Sequence, residues 1–140
     1  KISTNNKTAE MIKYANNSFL ATKISFINQL SNICQKIPGA NIDDISKTIG
    51  LDPRIGGLFL NAGPGYGGSC LPKDMKALIK FAKITGVKPT LLNAVEDVNA
   101  KQLEDIISIG RARPRESKNR FFSPIITSIA KFIKKGLSLN

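Results

Sequence analysis

Apolar residues in the first quarter of the chain recur at helical spacing. No Gly or Pro falls between Ala9 and about Gln35, which predicts one uninterrupted helix. Thr8 is the expected N-cap, Glu10 suits the electropositive first turn, and Pro38-Gly39 ends the helix. The recurring apolar positions are Ile12, Ala15, Phe19, Ile27, Leu30 and Cys34.

This helix would be roughly 40 Å long, which is more than one small core can cover. Its apolar residues also spread over more than one face, since Leu20, Ile24 and Phe26 lie away from the first set. A helix that is apolar on several faces usually has several packing partners. The pattern therefore predicts an isologous homodimer through residues 9–35.

Three shorter helices are predicted downstream. Asn41 would cap the second, with Asp43 and Asp44 in its first turn and Gly50 past its end. The third is expected from about Pro72 to Thr85, and its apolar face holds Leu71, Met75, Leu78, Ile79 and Ala82. The fourth would begin near Pro89, carry Leu92, Val95 and Val98, and continue to Ile107.

No run of residues favours a strand, so the predicted fold class is all-α, with a helical domain over residues 1–107. Residues 108–140 are predicted to form a basic linker and an amphipathic tail, because lysines alternate there with apolar residues at helical spacing. Such a tail can mark a membrane surface or a nucleic-acid patch, but a docked terminal helix or a loose tail is the favoured interpretation.

Composition is that of a soluble globular protein, at 41% hydrophobic and 22% charged residues. The net charge of +11 could favour nucleic acid, an anionic membrane or a phosphate-bearing substrate. With no apolar run of membrane-spanning length, no signal peptide and only two cysteines, we expect a cytoplasmic protein without membrane or nucleic-acid partners. The first residue is not Met, which suggests a fragment or a processed product.

Residues 63–74 are rich in glycine and hold the chemically most reactive side chain, Cys70. The cysteine is predicted where this loop meets the third helix, beside Lys73, and both a helix N-terminus and a nearby cation favour a thiolate. Cys70 is thus a candidate nucleophile. The alternatives are a tight connection and a small buried residue, which is the role expected for Cys34. With no histidine in the chain, Cys/His catalysis and a transition-metal site are not expected.

The spacing Gly63-x-Gly65-x-x-Gly68 matches the dinucleotide-binding fingerprint as a string. That motif requires a preceding strand, and the segment before Gly63 is short and does not alternate. We therefore do not assign a Rossmann motif to this loop.

Three stretches, residues 65–74, 9–17 and 52–56, together resemble the central domain of the UDP-glucose/GDP-mannose dehydrogenase family. The resemblance covers roughly residues 4–102. It implies a helical central domain that lies between two Rossmann-like domains, with one long dimerisation helix, followed here by the basic tail. It also implies that the chain is a fragment of a larger dehydrogenase.

The resemblance implies an NAD-dependent oxidation of a UDP-sugar, with UDP-glucose converted to UDP-glucuronate. Cys70 would be the nucleophile, forming a thiohemiacetal and then a thioester. Lys13 and Asn17, four residues apart on one helix face, would hold the substrate and the oxyanion. Asp74 would order the catalytic water, and Lys73 would contact the cofactor.

The family's nucleotide-sugar loop is matched by the segment Phe59, Leu60, Asn61, Ala62 and Gly63, whose backbone would bind the substrate. Gly67 would allow close approach, and Arg54 would reach the substrate across the dimer. No segment resembles the family's N-terminal dinucleotide-binding domain or the Thr and Glu that it supplies. We therefore expect the isolated chain to be inactive, and the alternative function is that of a homodimerisation module alone.

Overall fold

The computed structural model describes residues 3–111, with side chains up to Asp105. It contains α1 (Asn6–Cys34), α2 (Ile42–Gly50), α3 (Leu71–Ile84) and α4 (Thr90–Arg111). Residues 3–111 contain no strand, which confirms the all-α prediction. None of these helices has the length and apolar character needed to cross a bilayer. The predicted linker and amphipathic tail, from residue 112 onward, lie outside the described residues.

The long helix begins three residues earlier than predicted. Asn5, not Thr8, is its N-cap, because the Asn5 Oδ1 accepts a hydrogen bond from the Thr8 backbone N–H at 2.9 Å. Glu10 consequently lies beyond the first turn, and its predicted role there was also wrong. At 29 residues, α1 is about 43 Å long.

The second helix begins as predicted, with the Asp43 N–H donating to the Asn41 side chain at 2.9 Å. Its end differs, since Gly50 is the last helical residue and does not follow the helix. A Cβ on Gly50 would lie 2.9 Å from the Cα of Gly57, so the chain after α2 passes directly over the helix end. This packing explains a glycine at a helical position.

The last two helices have slightly different bounds from those predicted. α3 begins at Leu71, one residue before Pro72, and Cys70 is its N-cap. α4 begins directly after Pro89 and continues past Ile107 to Arg111.

The core forms where α1, α3, α4 and the glycine-rich loop meet. Its buried centre consists of Ala21, Tyr66, Met75 and Val95. The Oγ of Ser25, buried on α1, donates to the Val95 carbonyl of α4 at 3.1 Å. Small side chains on α1 thus bring α4 close. Because Tyr66 belongs to the loop, the same core fixes the segment that leads to Cys70.

Candidate active site

The first turn of α3 places a buried carboxylate against α1. Asp74 is 1% exposed, and its Oδ2 accepts a hydrogen bond from the Asn17 Nδ2 at 2.6 Å. The Lys13 Nζ lies 3.6 Å from the same oxygen. The two α1 residues were predicted to share a face, and both reach one carboxylate oxygen of α3.

Cys70 precedes this carboxylate by one helical turn, since the Asp74 N–H donates to the Cys70 carbonyl at 2.9 Å. The Cys70 side chain is exposed, and its Sγ lies 3.7 Å from the Ser69 Oγ. The alternative of a small buried residue is therefore wrong for Cys70, whereas Cys34 is buried on α1. Lys73, on the same turn, is exposed.

The loop between α2 and α3 forms a cavity of about 430 Å³. Four of the five residues predicted to bind the nucleotide sugar line it, namely Phe59, Asn61, Ala62 and Gly63. Ile24 of α1, Pro64 and Gly65 complete the lining. The remaining predicted residue, Leu60, is buried, and its carbonyl accepts a hydrogen bond from the Ser46 Oγ of α2.

The backbone is unusual at Phe59, directly before the one loop residue of this set that turns into the core. Phe59 has a φ of +64°, the one positive φ at a non-glycine position within the described residues. This conformation is uncommon for a bulky residue and costs roughly 1–2 kcal/mol. It accompanies the burial of Leu60, while Phe59 stays on the cavity wall.

Two predicted substrate-binding residues lie outside this lining. Gly67 is exposed in the loop before Cys70. Arg54 lies in the turn after α2, where its Nη2 is 2.6 Å from the Asp52 Oδ2. The hydrogen bonds from Arg54 lower the pKa of Asp52, and the same carboxylate raises the pKa of Arg54. The exposed guanidinium is thus held in place by a residue of its own turn.

Tyr66 connects the cavity segment to Cys70. Its ring is in the core, and its hydroxyl donates to the Glu96 Oε1 of α4 at 3.1 Å. Burial raises the pKa of the Tyr66 phenol above its usual range, and the nearby Glu96 carboxylate raises it further. The phenol therefore stays protonated to a higher pH than an ordinary tyrosine.

Sequence reasoning missed three amide side chains that bind the loop backbone, Asn28 of α1 and Asn99 and Gln102 of α4. For two of them, the sequence offers a signal in their position along the helix. Asn99 and Gln102 continue the helical spacing of Leu92 and Val95, where apolar residues would be expected.

Comparison with known proteins identifies the family. The model of the UDP-glucose/GDP-mannose dehydrogenase family, central domain, matches residues 7–101. The chain is 53% identical over 106 residues to the UDP-glucose 6-dehydrogenase TuaD of Bacillus subtilis, covering 76% of this chain and 23% of that protein. It is 60% identical over 88 residues to the UDP-glucose 6-dehydrogenase of Rickettsia bellii, covering 63% of this chain and 20% of that protein. The chain thus spans about a fifth to a quarter of the length of these relatives.

The fold agrees with a solved structure. A UDP-glucose dehydrogenase from the archaeon Pyrobaculum islandicum matches with a TM-score of 0.64 and 42% sequence identity, covering 66% of this chain and 21% of that one. The helical architecture and the family match over residues 7–101 agree. The chain belongs to the UDP-glucose/GDP-mannose dehydrogenase family and contains its central domain.

Proposed function

We propose that this chain is the central domain of an NAD-dependent enzyme that oxidises UDP-glucose to UDP-glucuronate through a covalent bond to Cys70. One observation carries the proposal: an exposed thiol at the start of α3 precedes by one turn a buried carboxylate that binds a lysine and an amide of α1. This arrangement puts a nucleophile one helical turn before a carboxylate that binds two groups able to stabilise negative charge.

The covalent step uses the aldehyde formed from the sugar C6 alcohol. The Cys70 thiolate attacks the carbonyl carbon, an S–C bond forms, and the electrons of the C=O π bond move to oxygen. The resulting oxyanion would be stabilised by the Lys13 ammonium and by the second N–H of the Asn17 amide, since the first binds Asp74. After oxidation to the thioester, water adds to the carbonyl and its two protons pass to solvent. The C–S bond then breaks, which releases the uronate and leaves Cys70 as a thiolate.

Asp74 suits the hydrolytic step because only one of its oxygens is used by the protein. Its Oδ2 binds Asn17 and Lys13, while its Oδ1 has no hydrogen bond within the described part of the chain. We assign this second oxygen to the water that attacks the thioester. The ionic and amide contacts to Oδ2 would hold the carboxylate in place during that step.

Two NAD molecules, bound in turn, would each supply the acceptor for one of the two hydrides that the oxidation from alcohol to acid releases. The glycines at 63, 65 and 68 follow no strand within the described residues, so they do not form a dinucleotide-binding turn. The group that this chain offers to the cofactor is the exposed Lys73 ammonium, one residue from Asp74. We infer that the rest of the cofactor site lies in other parts of the enzyme.

The loop cavity is the proposed site of the UDP-sugar. The backbone N–H and C=O groups of Asn61 and Ala62 form no hydrogen bonds within the described residues, which leaves them available to a ligand. Gly67 would allow close approach of the ligand, and Leu60 would support the loop from the core. The exposed Arg54, aligned by Asp52, would bind sugar or phosphate oxygens of the partner protomer's substrate.

A specific pattern on α1 supports a homodimer through residues 9–35. Four large apolar residues, Ile12, Phe19, Phe26 and Ile33, follow one another at seven-residue intervals and are 51–64% exposed. We call this set the α1 stripe. The seven-residue interval puts Phe26 on the same face as Ile12 and Phe19, so its predicted place on another face was wrong, and the buried Ile27 faces the core instead. A strict seven-residue spacing is typical of two helices that pack at a small crossing angle.

The two free cysteines fit the proposed cytoplasmic location.

The covalent proposal can be tested without the cofactor. The C6 aldehyde of UDP-glucose should slow the alkylation of Cys70 by iodoacetamide, because a thiohemiacetal removes the free thiolate. Lys13→Ala and Asn17→Ala should weaken this protection, whereas Asn16→Ala, on an exposed neighbour, should not. Equal alkylation rates with and without the aldehyde would contradict the assigned nucleophile.

A further inference from the structure

The backbone N–H and C=O of Gly63 each bind an amide side chain, and the two side chains come from different helices. The Asn28 Oδ1 of α1 accepts from the Gly63 N–H at 2.8 Å. The Gln102 Nε2 of α4 donates to the Gly63 carbonyl at 2.8 Å. One residue of the loop thus satisfies both of its backbone groups on side chains far away in sequence.

A second amide binds the loop three residues later. The Asn99 Oδ1 accepts from the Tyr66 N–H at 2.7 Å, and its Nδ2 donates to the Tyr66 carbonyl at 3.1 Å. This paired geometry repeats the exchange of hydrogen bonds between two strands. A Cβ on Gly65 would lie 2.5 Å from the Asn99 Oδ1, so the close approach requires a glycine.

These amides lie where apolar residues would stabilise the core more simply. Asn28 is 0% exposed and Gln102 is 2% exposed. The Gly63 N–H fixes the orientation of the Asn28 amide, and the Asn28 Nδ2 is then left without a hydrogen bond in the described part of the chain. An unsatisfied buried donor offsets much of what the other hydrogen bond gains. The contribution of Asn28 is therefore to the position of the loop more than to stability.

The segment that these amides hold would otherwise be free to move. Gly65 and Gly68 have φ values of +102° and +77°, and glycines lose the most conformational entropy when they are fixed. The residues on one side of the held segment line the cavity, and Tyr66 is four residues before Cys70. Fixing Gly63 and Tyr66 therefore fixes the loop relative to α1 and α4.

We propose that Asn28, Asn99 and Gln102 are positioning residues that hold the loop in its ligand-binding conformation before the UDP-sugar arrives. We call these three residues the amide clamp. The inference rests on the proposed function for the identity of the ligand. Preorganisation of this kind raises affinity because the cost of ordering the loop is met on folding.

The test uses amide hydrogen exchange of the full 140-residue chain, followed by NMR. Asn99→Ala should speed exchange at the Tyr66 N–H by about 10-fold, and Asn28→Ala should do the same at the Gly63 N–H. The amide of Ile27 in α1 should exchange as in the wild-type chain. Asn99→Asp keeps an acceptor for the Tyr66 N–H but replaces the donor to the Tyr66 carbonyl with a second oxygen, so it should restore only part of the protection. Asn93→Ala, on α4, is the matched control, since its side chain forms no hydrogen bond within the described residues.

Ligand binding provides the second measurement, with UDP-glucose as the probe. Asn99→Ala and Gln102→Ala should raise the dissociation constant of UDP-glucose about 10-fold. Asn93→Ala should leave that constant unchanged. Faster exchange confined to residues near the clamp supports positioning. A uniform increase in the exchange rates of all amides, or no increase, overturns the positioning role. If the wild-type chain does not bind UDP-glucose, the assigned ligand is wrong, and exchange still decides whether the clamp holds the loop.

Discussion

Asn17 of α1 donates to the buried carboxylate of Asp74 on α3 over 2.6 Å, and this contact joins two segments that are 57 residues apart in sequence. The carboxylate is almost completely removed from water, and Asn17 and the Lys13 ammonium take the place of water around its Oδ2. The same bond that supports the proposed chemistry also supports the packing of α3 on α1.

Removing that contact should destabilise the chain. We expect Asn17→Ala to lower the free energy of unfolding by about 1.5–3 kcal/mol, because a buried carboxylate loses a hydrogen-bond donor. Asn16→Ala, on an exposed side chain, should stay within about 0.5 kcal/mol of the wild type. Urea denaturation measures both values. Equal effects of the two substitutions would mean that the Asn17 contact contributes nothing to folding.

The two cysteines should differ in reactivity because one is exposed and the other is buried. Under native conditions, iodoacetamide should modify Cys70 and leave Cys34 intact, with both modified in denaturant. Peptide mass spectrometry identifies the labelled residue. A Cys70→Ser chain should take up no label until it unfolds, and rapid native labelling of that variant would show that α1 opens at Cys34.

Tyr66 should make the chain less stable in alkaline solution. Its folded pKa lies above the unfolded value of about 10, so above pH ~10 the unfolded state loses a proton that the folded state retains. The free energy of unfolding should thus fall as pH rises above ~10, by at most about 1.4 kcal/mol per pH unit from this group. Tyr66→Phe should show a shallower decline in urea denaturation between pH 9 and 11, and identical slopes would contradict this assignment.

The α1 stripe should control assembly. Phe19→Glu and Phe26→Glu should convert a dimer into a 15.2 kDa monomer at micromolar concentration, because each places a charge in the apolar contact. Phe81→Glu is the matched control, since Phe81 is similarly exposed but lies on α3. Sedimentation equilibrium gives the mass. A wild-type chain that stays monomeric as its concentration rises would exclude the dimer.

Gly65 should be less tolerant of a side chain than Gly39. Both have positive φ, so alanine at either position costs roughly 1–2 kcal/mol. A Cβ at Gly65 would additionally clash with Asn99, whereas nothing lies within 4 Å at Gly39. Thermal denaturation should show a larger loss of stability for Gly65→Ala than for Gly39→Ala. Asn99→Ala should reduce stability less in the Gly65→Ala chain than in the wild-type chain. Equal losses in the two backgrounds would contradict the steric explanation.

The sequence predicted the four helices well because their apolar spacing and terminators are local properties. The N-cap of α1 was ambiguous, since Asn5 and Thr8 are both good capping residues three positions apart. The shared face of Lys13 and Asn17 followed from helical geometry alone. Their common partner, Asp74, depends on how α1 and α3 pack, which spacing cannot show.

The loop partners of the amide clamp were beyond sequence reasoning for a related reason. A polar residue on a helix is normally read as solvent-facing, and only the tertiary position of the loop gives Asn28 and Gln102 their partners. The positive φ of Phe59 was equally hidden, because bulky residues rarely adopt it and no local pattern marks it.

The meeting of Gly50 and Gly57 has a consequence for how these sequences can vary. The nearest atom to a Cβ at Gly50 would be the Cα of Gly57, a backbone atom that cannot rotate away as a side chain would. A larger residue at 50 therefore requires a different path for residues 51–57, the segment that carries Arg54. Within relatives of this chain, we expect any substitution at position 50 to be accompanied by an insertion or deletion in that segment.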